Sequence, residues 1–204
     1  MHNSLSTTSL VYGLATSHAL VHADIQSLLG NIAPERLRRR PMASMNSIAW
    51  CIWHMLRVED ENIARFVIPD QQVFDTGGFR TSLAVPYRDD GFGMQSSDVT
   101  ALSEGIDLAQ LAAYGRAVQA QGAYALTQLD GWDFSTPFST DHIRPIVYAD
   151  AYGDADNSEQ TIGFLSTMKK GDWLIKHMVG HSQYHLGEIA AIDGALAGDR
   201  YFTW

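Results

Sequence analysis

Four stretches of this chain repeat apolar residues at intervals of three and four, the period of a helix with one buried face. In the first, from about Thr8 to Gly30, Leu14, His18, Val21, Ile25 and Leu28 share a stripe. The second takes Asn46 or Ser47 as its N-cap and carries Ile48, Cys51, Met55, Val58, Asn62 and Phe66, with Trp50, Trp53 and His54 widening the face. It must end before Pro69, because proline disfavours helix in the residue ahead of it. The third opens on Asp107 and closes by Gly131, and the fourth runs from Asp172 to about Leu196 with Gly198 as its stop. The pattern thus predicts helices over about 8–29, 47–67, 108–129 and 172–196. Each is roughly 30 Å long at 1.5 Å per residue. Matched rods of this kind make an all-α four-helix bundle, and 204 residues are expected to form a single domain.

The connections are uneven. Residues 31–45 link the first two helices, while 69–106 and 132–170 are long and rich in Gly, Asp, Ser and Pro. Both long segments carry aromatic residues, Phe74, Phe79, Tyr87, Phe92, Trp132, Phe134, Phe138, Tyr148 and Tyr152. Disordered linkers are poor in such residues, so these segments are expected to pack as loops over the bundle, with one short helix near Glu159 to Met168.

Charge narrows the partners. Fourteen basic against twenty-three acidic residues give a net charge of −9, a field that repels phosphate, so neither nucleic acid nor an anionic membrane is an expected partner. The basic run Arg36 to Arg40 reads as a solvated link between helices. The lone Cys51 cannot form an intramolecular disulfide, and the N-terminal segment lacks a basic lead and an unbroken apolar stretch. The cytoplasm is the expected compartment.

The chemistry concentrates in the fourth helix. "HMVGHSQYHLGEI" places His177, His181 and His185 four residues apart. Positions i and i+4 on a helix stand about 5–6 Å apart, so two imidazoles at that spacing can grip one metal ion. The three histidines offer two overlapping pairs, but the outer two are about 12 Å apart along the axis and cannot share an ion. His54, on the inward side of the second helix, is the natural third ligand. Three imidazoles leave a coordination position open to water or substrate. His18 and His22 form another i,i+4 pair, His18 on the apolar stripe and His22 nearer the solvent side. Cys51 reads as a small buried apolar residue, and Glu59, about 140° around the helix from His54, as a surface or inter-helix contact. Gly180, Gly187 and Gly194 recur every seven residues and predict a stripe where another backbone comes close, within the bundle or across a homodimer.

These residues resemble the DinB-like metal-binding four-helix bundles. The resemblance rests on Trp53, His54 and Glu59 in the second helix and on a last helix reading His-x-x-x-His-x-x-x-His-x-Gly-Glu. It implies one divalent ion held by His54, His181 and His185. His177 then falls to the second shell or the pocket wall, and His18 is read as a core or pocket residue. The chain departs from the family in two ways: His185-Leu186-Gly187-Glu188 stands where members commonly read His-Arg-Gly-Gln, and the two long connections are larger.

Known activities of the family imply a metal-dependent transferase that joins a low-molecular-weight thiol to a small-molecule electrophile. The ion would be zinc or nickel ahead of iron or manganese. The alternatives are a stress-response protein that binds metal or ligand without turnover, and a bundle whose histidines are merely packed.

Overall fold

The computed structural model describes residues 7–68, 72–149 and 158–197. Its helices are α1 (Thr7–Asn31), α2 (Pro34–Arg38), α3 (Ile48–Phe66), α4 (Val73–Thr76), α5 (Phe79–Ser82), α6 (Ser96–Gly105), α7 (Leu108–Thr127), α8 (Thr140–Ala149), α9 (Ser158–Leu165), α10 (Lys170–Ile175) and α11 (His181–Ala197). A single π-helical turn, Lys176–Gly180, joins α10 to α11, so the last rod is one continuous helix with a wider turn inside it. Among the described residues there is no strand, and the one extended pairing is an isolated bridge between Pro137 and Lys169.

Local chemistry sets the long rods. The Ser47 hydroxyl accepts from the Trp50 amide at 3.0 Å and starts α3, and the Asp107 carboxylate accepts from the Ala109 and Gln110 amides at 2.9 and 3.0 Å and starts α7. The expected stops at Pro69 and Gly198 lie outside the described residues. α1 packs on α7, α7 on α3, α3 on α11, and α1 returns to the π turn, which closes a ring of four rods. Every predicted stripe residue of α1 and α3 is buried in it. α3 is buried on nearly all sides, with only Glu61 and Arg65 left partly open, because α2, α4 and α6 cover the faces that the bundle does not.

The two long connections differ from the expected loops. They fold into α4, α5, α6, α8 and α9, of which only α9 matches the short helix expected there. Phe74, Phe79 and Phe138 are buried, whereas Phe92 and Tyr148 are exposed; Tyr152 lies outside the described residues. Helices this short are not stable alone and take their support from the core. Asp60 of α3 supplies it for α4, its carboxylate accepting from the Val73 and Phe74 amides at 2.9 and 2.8 Å.

Two further expectations are corrected. The basic run is no solvated link. Arg36 pairs with Asp193 at 2.6 Å, and Arg38 donates to the Ser103 and Glu104 carbonyls at the C-terminal end of α6. Arg40 donates to the Met45 and Ser96 carbonyls. Unpaired carbonyls at a helix end attract such cations. Of the two alternatives for the glycine stripe of the last rod, close approach within the bundle is ruled out: a Cβ on Gly187 or Gly194 would find nothing of this chain within 4 Å. Close approach occurs instead at α7, where a Cβ on Gly115 would stand 2.8 Å from Gln26 Nε2 and one on Gly122 2.6 Å from His18 Nε2.

Candidate metal centre

α3 and α11 each bring part of one cluster. His54, His181 and His185 present ring nitrogens that all lie within 4.8 Å of one another. The ring centroids are 4.9 Å apart for His54 and His181, 4.9 Å for His54 and His185, and 4.6 Å for His181 and His185. His54 and His185 are buried, while His181 is the more open of the three.

The outer hydrogen bonds decide which nitrogen is free. His54 Nδ1 donates to the Asp90 carbonyl, which can only accept, so Nδ1 carries the proton and Nε2 keeps its lone pair. His185 Nδ1 lies 2.7 Å from Glu188 Oε2 and donates to it. Asn46 donates to the other Glu188 oxygen at 2.9 Å, and the hydrogen bond from His185 holds the Glu188 carboxyl below its usual range, so it stays an anion. Metal-binding histidines commonly tie their second nitrogen to a carbonyl or carboxylate in this way. Burial lowers the His54 pKa, and burial followed by repulsion from His54 and His185 brings His181 down to about 3. Both rings are therefore neutral near pH 7, the form that ligates.

A loop that sequence reasoning passed over positions His54. Gly91, with φ of 84°, lets the backbone of the 88–93 loop come against the tryptophans of α3, where a Cβ would stand 2.7 Å from the Trp53 ring. The carboxylates of Asp89 and Asp90 accept from the Gly91 and Phe92 amides at 3.0 and 2.8 Å and tighten the turn. Arg57, buried in α3, donates to the Arg88 and Asp89 carbonyls at 2.8 and 3.2 Å and pins the loop from beneath. Trp50 stacks on the His54 ring with centroids 4.8 Å apart and planes 15° from parallel. The available signal was Asp-Asp-Gly, a turn sequence, which says nothing of what the turn rests on.

The remaining residues separate from this cluster. His177 lies on the π turn, is not among the converging ligands, and packs against Trp173 with ring centroids 4.7 Å apart and planes tilted by 37°, both of its ring nitrogens buried without a hydrogen-bond partner. Burial takes its pKa down to about 3. Cys51, Glu188 and His185 also bring ligand atoms together, but burial and then Glu188 raise the Cys51 thiol well above its usual value, so it stays protonated. His18 is buried, as its stripe predicts. His22 corrects the sequence, being buried rather than near solvent, and Glu59 takes the inter-helix alternative, also buried. Glu59 Oε1 lies 2.6 Å from His18 Nε2 and Oε2 lies 3.0 Å from His22 Nε2, an inter-helix contact sealed inside the bundle.

A solved structure described as a conserved protein from Enterococcus faecalis superposes with a TM-score of 0.68. It covers 96% of this chain and 100% of its own at 13% identity, which is a likeness of fold alone. No curated protein matches the sequence. The DinB superfamily pattern matches residues 18–189, a span that runs from within α1 to within α11 and includes all three converging histidines, and the chain belongs to that superfamily.

Proposed function

We propose that His54, His181 and His185 hold one divalent ion, zinc or nickel ahead of iron or manganese, and that the protein is a metal-dependent transferase joining a low-molecular-weight thiol to an electrophile. The observation that carries the metal site is the convergence of three imidazoles from two rods, two of them with the outer nitrogen tied to a fixed acceptor. Three neutral ligands with no carboxylate among them suit a borderline cation and leave room for an exchangeable ligand. When bound, such an ion supplies Lewis acidity that favours a thiolate over a thiol, whose free pKa is near 8.5.

The protein's own residues orient and screen. Trp50 and the Asp90 carbonyl fix the plane and tautomer of His54, and Glu188 does the same for His185. His181 is the most open of the three ligands. Phe92, two residues past the carbonyl that holds His54, is 91% exposed and offers an apolar surface for an electrophile.

One observation favours a second reading, in which the protein binds metal or ligand without turnover. Both oxygens of Glu188, the carboxylate beside the triad, are already engaged, so it is not free to act as a base.

Protein purified without a histidine tag or added metal, then analysed for its elements, tests the site: His181→Ala should hold one ion per chain fewer than the wild type and keep its helical spectrum. Unchanged metal content in that variant would remove the triad from consideration. Metal-loaded protein should consume glutathione, bacillithiol or mycothiol together with a model electrophile. Absence of turnover with all three, in protein that holds its ion, rejects the transferase and leaves the binding reading.

A further inference from the structure

A second set of ligating groups lies on the flank of α3 away from His54. We propose that His18, His22 and Glu59 form a closed, structural site for a second divalent transition metal, clamping α1 to α3. The inference does not depend on the transferase reading.

The donor set is that of a metal site. Two imidazoles sit at i and i+4 on α1, the spacing that also brings His181 and His185 together, and a carboxylate arrives from another helix. The three ligand atoms lie within 4.8 Å of one another, the imidazole centroids are 4.5 Å apart, and each residue is at most 1% exposed. Both Glu59 oxygens face the imidazoles, so two nitrogens and a bidentate carboxylate give the four donors that close a site for zinc or a first-row neighbour.

Access is closed on the third side. A Cβ on Gly122 of α7 would stand 2.6 Å from His18 Nε2 and 2.8 Å from Glu59 Oε1, so only glycine lets this backbone cover the donor atoms. The contacts of Gln26 with Gly115 and of His18 with Gly122 run α1 and α7 antiparallel and place His22 between those two levels. A site without a path for water does not turn over substrate; it holds elements together.

One polar atom at the cluster is left over. Each Nε2 faces a Glu59 oxygen, and His22 Nδ1 is buried with no hydrogen-bond partner. Ligation through Nε2 takes the neutral ring with its proton on Nδ1. Tetrahedral ligands about 2.0–2.1 Å from an ion stand roughly 3.3 Å apart, so the 2.6 Å contact of His18 with Glu59 must open by about 0.7 Å, a small rotation of one carboxylate.

Metal stoichiometry after equilibration with zinc tests this in three proteins: wild type, His181→Ala and Glu59→Gln. The expected contents are two ions per chain in the wild type and one in each variant. The cobalt-loaded His181→Ala protein should show two imidazoles and one carboxylate around its ion by X-ray absorption, which also decides the matter if Glu59→Gln does not fold. A wild type that takes up one ion and a helical His181→Ala protein that takes up none overturn the proposal. So does a Glu59→Gln protein that still binds two, or a different ligand set around cobalt. Retention of both ions by His181→Ala instead counts against the triad and leaves this site standing.

Discussion

Replacing Gly91 by alanine should loosen His54 without touching a ligand. The backbone there has φ of 84°, and a left-handed conformation costs an L-residue about 1–2 kcal/mol. The new methyl would also stand 2.7 Å from one Trp53 ring carbon, 3.3 Å from another and 3.2 Å from Trp50. Trp53 is fully buried and cannot swing away, so forced overpacking adds about 1–3 kcal/mol. Gly93 is the internal control. Its φ is 73°, yet a Cβ there meets nothing within 4 Å, so Gly93→Ala carries only the backbone cost. For a chain of this size 1 kcal/mol moves Tm by about 2–4 °C, and Gly91→Ala should melt roughly 3–10 °C below Gly93→Ala. The loop can relieve the clash only by lifting, which draws the Asp90 carbonyl away from His54 Nδ1. Loss of such an outer hydrogen bond weakens metal binding by about 10–100-fold. Thermal melts of the two apo proteins and a competition titration with a zinc indicator read the two effects separately. Equal melting temperatures, or equal zinc affinity despite a lower Tm in Gly91→Ala, would refute the role given to this loop.

Glu188→Ala removes the acceptor of His185 Nδ1 and should weaken zinc binding by about 10–100-fold with the helical content intact; an unchanged competition curve would show that His185 needs no orientation. Glu59 should also mark the acid limb of stability. Burial alone would raise its carboxyl, but the charge of His22 and the hydrogen bond and charge of His18 outweigh it and hold the group at about 2, against 4.5 in the open chain. A depressed carboxyl contributes its stabilisation above the unfolded value and loses it as pH falls from about 4.5 towards 2, here about 3 kcal/mol. In chelator-treated protein, the difference in urea stability between wild type and Glu59→Gln should shrink across that window, and a difference independent of pH would contradict the assignment.

The four rods are legible in the chain because their causes are local. Stripe residues such as Val21, Ile25, Met55 and Phe66 repeat with the helix itself, and Ser47 and Asp107 cap within three residues of their own position. The short helices are not legible for the opposite reason. α4 takes its cap from Asp60, and residues 88 and 89 are held by Arg57, so the stabilising partners arrive from another part of the chain. His22 reads as near solvent on an isolated α1, and only the packing of α3, with Glu59, and of α7 against that helix buries it.

The sequence by itself determined that this protein is helical, where its long helices run, and that histidines at chelating intervals stand in the first and last of them, since periodicity and spacing are properties of a single helix. Only the tertiary structure decided which histidines meet. A ring from α3 joins the second and third histidines of the last rod, His177 on the π turn stays outside that group, and Asp90 and Glu188 select the nitrogens that stay free. Convergence of that kind depends on how helices pack against one another, and no interval along one chain segment encodes it.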